Sequence, residues 1–454
     1  MNTKELIEKD RKYIWHPFTQ MQDWQEEDFP VIEKGEGCYL IDTEGRRYLD
    51  GVSSLWCNVF GHRVPAIDKA VKKQLGKIAH TTFLGLTHPT AIELSEKLIE
   101  IAPKGLSRVF YSDSGSESME IAVKIAYQYW QQKGQPRKKK FARLTNAYHG
   151  DTIGSVSMGG IDLFHQIYKP LLFETLAVPS PYRYRWPLPP MGNDGFGTGV
   201  KPVSDPATSG KEDWERVKRE SLEAMEKVLR ENQDELAAFV MEPLMQGAAG
   251  MIDQPEGYIS RARELTRKYN TLLIFDEVAT GFGRTGKMFA SEHEGVVPDI
   301  MAVAKGLTGG YLPLAATLTT EEVYGAFLGR YEEFRTFFHG HTYTANPLAC
   351  AAALATLDLF KKDRTVEKLQ PKIKLLGKGL EAFHGLSSVG DIRRVGLMTG
   401  IELVRDKKTK AEFDPAEKIG VQVIERAREK GAILRPLGPV IVLMPPLGMT
   451  ERQL

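Results

Sequence analysis

Two stretches of the chain run from uninterrupted apolar residues straight into charge. Leu272 to Phe275 (LLIF) ends in Asp276 and Glu277, and Ile300 to Ala304 (IMAVA) ends in Lys305 followed by glycine. Apolar runs this short predict strands buried on both faces of a parallel sheet, whose carboxyl ends are where such sheets bind ligands. Asp276 and Lys305 are therefore expected to face one crevice. A third run, Ala237 to Met241, ends the same way in Glu242.

Other periods surround these runs. Residues 4 to 15 have the spacing of an amphipathic helix that breaks at His16-Pro17, because proline disfavours helix in the residue before it. The segment GEGCYLIDTEGRRYLDG alternates around Thr43-Glu44-Gly45 and predicts an antiparallel hairpin. Ala66 to Ile101 reads as two helices separated by a loop, residues 79 to 89. A short strand, Val109 to Tyr111, leads into a helix with Met119, Ala122, Val123, Ala126, Tyr127 and Trp130 on one face. Residues 141 to 160 give another strand and turn, and a charged helix is expected from about Glu212 to Gln233. From Ala351 the pattern is one long helix, then IRRVGLMTGIELV and AILRPLGPVIVLMPPL as strands flanking a helix near 415 to 430. Pro187 to Gly210 is dense in glycine and proline, which predicts a mobile loop inserted within one domain. Thr450 to Leu454 reads as the first turn of a helix that continues, so the copy in hand is expected to be truncated. The whole is an α/β pattern with a mostly parallel central sheet.

Composition narrows the functions. With 60 basic and 59 acidic residues among 454, no global field draws nucleic acid or an anionic membrane. Cys38, Cys57 and Cys350 are too few and too scattered for a disulfide framework or a zinc cluster, which fits a reducing compartment. No stretch reaches the length of a membrane span, and the charged N-terminus is unlike a signal peptide. A cytoplasmic location is expected.

The strand ends carry the chemistry. A lysine at the end of a buried strand loses hydration, which lowers its pKa from about 10.4 and makes it a Schiff-base nucleophile. An ionised aspartate beside it is what a pyridinium nitrogen needs. The pair suggests pyridoxal 5'-phosphate, although on spacing alone two ordinary charges reaching back to water fit equally well. Ser114 and Glu117 have capping-box spacing, and Gly115 lets backbone amides converge on an anion; a helix cap without a ligand is the plainer reading. His149 with Asp151, and His339 with His341, show no complete metal-ligand spacing, so no metal is expected.

The flanking residues add a resemblance. FDEVATGFGRTG followed by AVAKGLTGGYLPLAA is similar to the signature of class III aminotransferases, fold type I enzymes that use pyridoxal phosphate. The resemblance implies that Asp276 meets the pyridine nitrogen, Val278 packs on the ring and Lys305 forms the Schiff base. DSGSE places the cofactor phosphate at Gly115 and Ser116, and AYHGDTIG puts Tyr148 against the ring and the substrate. Glu242 and Gln246 take supporting places near the cofactor. HGHTYT resembles the turn that reaches a neighbouring subunit, with Gly340 beside substrate and His341 and Thr342 at the partner's cofactor phosphate, which implies a homodimer. Residues 1–65 and 346–454 would form a smaller α+β domain, and 66–345 the large cofactor-binding domain.

WHPFTQM, SSLW and RPLG followed by VLMPP are closest to the branch of the family that serves biotin synthesis. That branch aminates 8-amino-7-oxononanoate with S-adenosylmethionine or, in a subgroup, lysine. It implies Phe18 at the donor, where tyrosine is commoner, Trp56 in the substrate pocket and Arg435 on the substrate carboxylate. Another ω-aminotransferase, acting on ornithine, 4-aminobutyrate or a diamine, is the nearest rival. A non-catalytic phosphate-binding α/β module is the rival of another class, and it has no use for the Lys305 and Asp276 pair.

Overall fold

Both apolar runs are neighbouring parallel strands in a computed structural model that describes residues 2–186 and 211–454. The expected insertion loop, 187–210, lies outside the described residues. Seven strands make the central sheet: β1 (Leu106–Ser112), β2 (Lys140–Leu144), β3 (Leu176–Val178), β4 (Leu236–Met241), β5 (Leu272–Asp276), β6 (Ile300–Val303) and β7 (Ala315–Thr320). Their spatial order is β1-β7-β6-β5-β4-β2-β3. All neighbours are parallel except at β7, which runs antiparallel to both β1 and β6. Every residue of β4, β5 and β6 is buried, the reason their sequences lack alternation.

The helix Gly115–Gln132 covers one face of this sheet. Five of its six predicted core positions are buried, but Tyr127 is 45% exposed, and Ile121, Ile125 and Tyr129 are buried instead. The helix lies flat on several strands, so its apolar stripe is wider than one contact would need. Trp130 Nε1 donates to Ala237 O at 2.8 Å and ties the helix to β4.

The chain ends pack together. Tyr39–Asp42 and Arg47–Asp50 form the expected hairpin, turned at Gly45 with φ +82°, and Ala432–Ile433 adds in parallel to Arg47–Asp50. Two expectations need correction. The long helix after Ala351 is two, Pro347–Lys362 and Thr365–Leu380, broken where Arg364 takes φ +49°. Each of the two apolar segments near the C-terminus is a hairpin rather than one strand: Val389–Val395 with Met398–Leu403, and Arg435–Leu437 with Val440–Leu443. Their turns fall at Gly396 and Gly438, which adopt positive φ at little steric cost. Among the described residues, no helix is long and apolar enough to cross a membrane.

Candidate active site

Because β5 and β6 are parallel and in register, with Asp276 opposite Ala302, Asp276 and Lys305 leave the sheet at the same edge. They line one cavity of about 640 Å³, together with Trp56, Gly115, Ser116, Tyr148, Glu242 and Val278. Lys305 takes φ +45°, a conformation that costs a lysine roughly 1–3 kcal/mol and is tolerated where the surroundings impose it. Its Nζ lies 5.4 Å from the centroid of the Trp56 ring. Burial pulls the Lys305 ammonium below its ordinary range, against the opposing pull of the Asp276 and Glu242 carboxylates.

Asp276 is held on both oxygens. Val278 N donates to Oδ1 at 3.0 Å, and the buried His149 ring lies with Nδ1 2.7 Å from Oδ2. A carboxylate fixed this way has its remaining lone pairs directed before any ligand arrives. His149 was not among the residues expected to act here. In sequence it is only a metal-ligand candidate set aside with Asp151, and 127 residues separate it from Asp276.

The anion end is the helix N-terminus. Ser114 Oγ accepts from Glu117 N, and Glu117 Oε2 accepts from the amides of Asp113 and Ser114 at 2.8 Å each, so the capping box is complete. The first-turn amides of Gly115 and Ser116 have no acceptor within the helix. A Cβ on Gly115 would come within 2.5 Å of Val278 Cγ1, so only glycine fits where the helix start meets that side chain. Ser116 Oγ accepts from Thr152 N at 3.0 Å and lies 2.9 Å from Thr152 Oγ1, which leaves the backbone amide as its offer to an anion.

Tyr148 OH donates to Asp151 Oδ2 at 2.7 Å, and burial pushes the phenol well above its usual pKa. Trp56 takes φ +64°, beside Ser53 at +53° and Ser54 at +59°. This strained turn is held by Asp50, which accepts from Ser54 N, and by the buried Arg284, which donates to Trp56 O and Asn58 O.

Glu242 accepts from Tyr148 N and Gly247 N, and burial raises its pKa from 4.5 to about 7. Between those values the unfolded chain has lost this proton and the folded chain has kept it. Stability therefore falls as pH rises from 4.5 through 7, by at most about 3 kcal/mol from this group. Glu242→Gln is expected to flatten the fall in Tm of the cofactor-free protein between about pH 5 and pH 8. An equal fall in variant and parent would reject the role.

Several expected residues lie elsewhere. Gln246 is fully buried but bonded to Thr145 O and Ser180 Oγ, so it braces the strand ends and has no face on the cavity. Phe18 and Arg435 lie outside the cavity lining. Burial lowers the Arg435 pKa, and Tyr148 opposes this, which puts the two within electrostatic reach. Gly340 and Thr342 are exposed and do not line their own chain's cavity. His341 lies near Asp113 and Glu117, potential ligand atoms of the three being within 4.8 Å of one another, a grouping the sequence did not reveal. Glu117 is already spent as the helix cap, and His339 Nε2 lies 3.1 Å from His341 Nε2.

Comparisons with known proteins give the family. The family model described as aminotransferase class-III matches residues 21–454. The chain belongs to the class III aminotransferases. Among relatives, the adenosylmethionine-8-amino-7-oxononanoate aminotransferase of Geobacter sulfurreducens is 51% identical, covering 100% of this chain and 95% of that protein. The enzyme of that name from Methanocaldococcus jannaschii has a crystal structure with TM-score 0.90 and 44% identity, covering 100% of this chain and 96% of that one. An omega transaminase from Pseudomonas jessenii, solved with PMP, has TM-score 0.89 and 34% identity, covering 99% and 94%.

Proposed function

We propose that this chain transfers an amino group from S-adenosylmethionine to 8-amino-7-oxononanoate, giving 7,8-diaminononanoate for biotin synthesis, with pyridoxal 5'-phosphate as resident cofactor. The observation that carries the reading is full-length identity of 51% to a relative named for this reaction, with Trp56 on the cavity wall. The residues fit the cofactor. Gly115 and Ser116 would offer amides to its phosphate, Val278 and Tyr148 would flank its ring, Asp276 would pair with the pyridine nitrogen and Lys305 would be the attachment point.

When bound, the cofactor supplies an electron sink for the carbanion left at Cα. Lys305 Nζ, favoured in its neutral form by burial, takes the proton from the donor's Cα and returns one to the acceptor carbon. Asp276 would offer its carboxylate at a place fixed by Val278 N and the His149 ring, and Arg435 would hold the acceptor's carboxylate. The strained turn at Trp56 shapes the wall along the acceptor's aliphatic chain.

The exposed Gly340 and Thr342 support a homodimer in which this turn completes the partner's site. A fully active monomer in sedimentation at assay concentration would refute it. The three unpaired cysteines, two of them buried, suit the cytoplasm.

Lysine is the second reading for the donor, because Phe18 lacks the hydroxyl of the commoner tyrosine and His341 replaces the commoner proline. Losing one hydrogen bond alters binding by about 0.5–1.5 kcal/mol, which weakens a donor without abolishing it. The test is a single-turnover reaction of the cofactor-loaded enzyme with each donor. S-adenosylmethionine is expected to bleach the bound cofactor's visible absorbance; bleaching by lysine alone would overturn the reading.

A further inference from the structure

The C-terminal sheet carries two arginines in one row. Its strands, Val389–Val395, Met398–Leu403, Val440–Leu443 and Arg435–Leu437, lie side by side in that order. In register across them stand Arg393, Gly400, Val442 and Arg435. At about 4.8 Å per strand the two ends are roughly 14 Å apart. Residues directly opposite on neighbouring strands share a face, so the row presents one surface. Arg435, at the far end, is within electrostatic reach of Tyr148 on the cavity wall.

The near end grips that wall. Arg393 is fully buried; its Nη2 and Nε donate to Gly250 O at 2.8 and 3.2 Å, and Nε also donates to Met251 O at 3.1 Å. Nη1 donates to Asp391 and Glu402 of its own hairpin, which balance the charge. A Cβ on Gly400 would come within 2.9 Å of Gly250 O and 2.8 Å of Met251 Cβ, so a bare backbone is what lets the sheet approach. Val442 is buried in one apolar cluster with Met251 and Trp56. The gripped turn belongs to the cavity: Ala248 lines it, Gly247 N donates to Glu242 Oε2, and Gly250 N and Met251 N donate to Gly247 O.

A buried ion pair costs desolvation, and apolar residues of similar volume often stabilise as well or better. What the guanidinium adds is direction, because a planar fork on two adjacent carbonyls fixes the tilt of the sheet as well as its distance. We propose that Arg393 is a positioning residue for the acceptor's carboxylate: its grip on Gly250 and Met251 sets the row, and so sets where Arg435 stands relative to the cavity. The inference rests on the reading of Arg435 given above.

The test reads the half-saturating concentration of 8-amino-7-oxononanoate in the second half reaction of the cofactor-loaded enzyme, with the cofactor's Kd measured separately on the apoprotein. Arg435→Met is expected to raise the acceptor value about 10- to 100-fold, the worth of a lost charge-assisted contact. Arg393→Lys keeps the charge and loses the fork, and should raise it about 3- to 10-fold, as a misplaced contact does. Gly400→Ala pushes the same row off the turn without touching a charge and should do likewise; where Arg393→Lys does not fold, Gly400→Ala carries the comparison. On the Arg435→Met background Arg393→Lys should add little. The cofactor's Kd should stay put, because Gly115, Ser116 and Asp276 belong to the central sheet and its covering helix. An acceptor value unmoved by Arg393→Lys and Gly400→Ala, a full effect of Arg393→Lys on the Arg435→Met background, or a cofactor Kd that rises in step would overturn the role of Arg393. Arg435→Met without effect would show that the reading of Arg435 itself had failed, and would overturn this inference with it.

Discussion

Lys305→Ala is expected to cut amino transfer by about 10⁴-fold, the upper end for a lost general base, while leaving a folded chain. The fold should survive because Lys305 is a cost to stability rather than a support. Burial lowers its pKa in the folded state, so below the ordinary lysine range the unfolded chain binds this proton more tightly. That contribution opposes folding near neutral pH and fades as pH climbs toward 10.5. Alanine removes the buried charge and is no worse than lysine at φ +45°. Single-turnover kinetics with a thermal melt at neutral pH checks both halves: a large loss of rate with Tm equal to or above the parent's. A variant that kept its rate would remove Lys305 from the chemistry.

Asp276→Asn should lower the rate by roughly 10²–10³-fold, the usual effect of removing one preorganised electrostatic group from a buried site. The asparagine keeps the shape and loses the carboxylate proposed to pair with the pyridine nitrogen. His149 acts through the same carboxylate, so its substitutions should be smaller and not additive. His149→Asn can place an N–H near the former Nδ1 and should retain more activity than His149→Ala. On the Asp276→Asn background, His149→Ala should add little. The cofactor's dissociation constant, measured on the apoprotein by fluorescence, should follow the same ranking. Equal losses from His149→Ala on the two backgrounds would contradict the coupling that the 2.7 Å contact implies.

What the sequence makes legible here is local. Leu272 to Asp276 and Ile300 to Val303 are readable because a strand buried on both faces leaves no polar position, and Ser114 with Glu117 because a capping box spans three residues. Parallel strands then bring Asp276 and Lys305 together without further information. His149 is different. β4 and its neighbours must be ordered in space before a residue after β2 can be set beside the end of β5, and nothing in either segment encodes that order. Gln246 shows the converse: a polar residue four positions after Glu242 faces away from the cavity because Thr145 and Ser180 satisfy it. The hairpins at Gly396 and Gly438 were hidden because apolar residues continue through each turn, and a single glycine makes the reversal. Phe18 is reached only by resemblance, and the ring it meets, Phe164, lies 146 residues away in a segment with no motif.

The account stands on Lys305 as the point where cofactor and chain join. Borohydride reduction of the cofactor-loaded protein, followed by proteolysis and mass mapping, is predicted to put the pyridoxyl group on the peptide containing Ala304-Lys305-Gly306. A label on any other lysine, or no label on a protein that transfers amino groups, would contradict it.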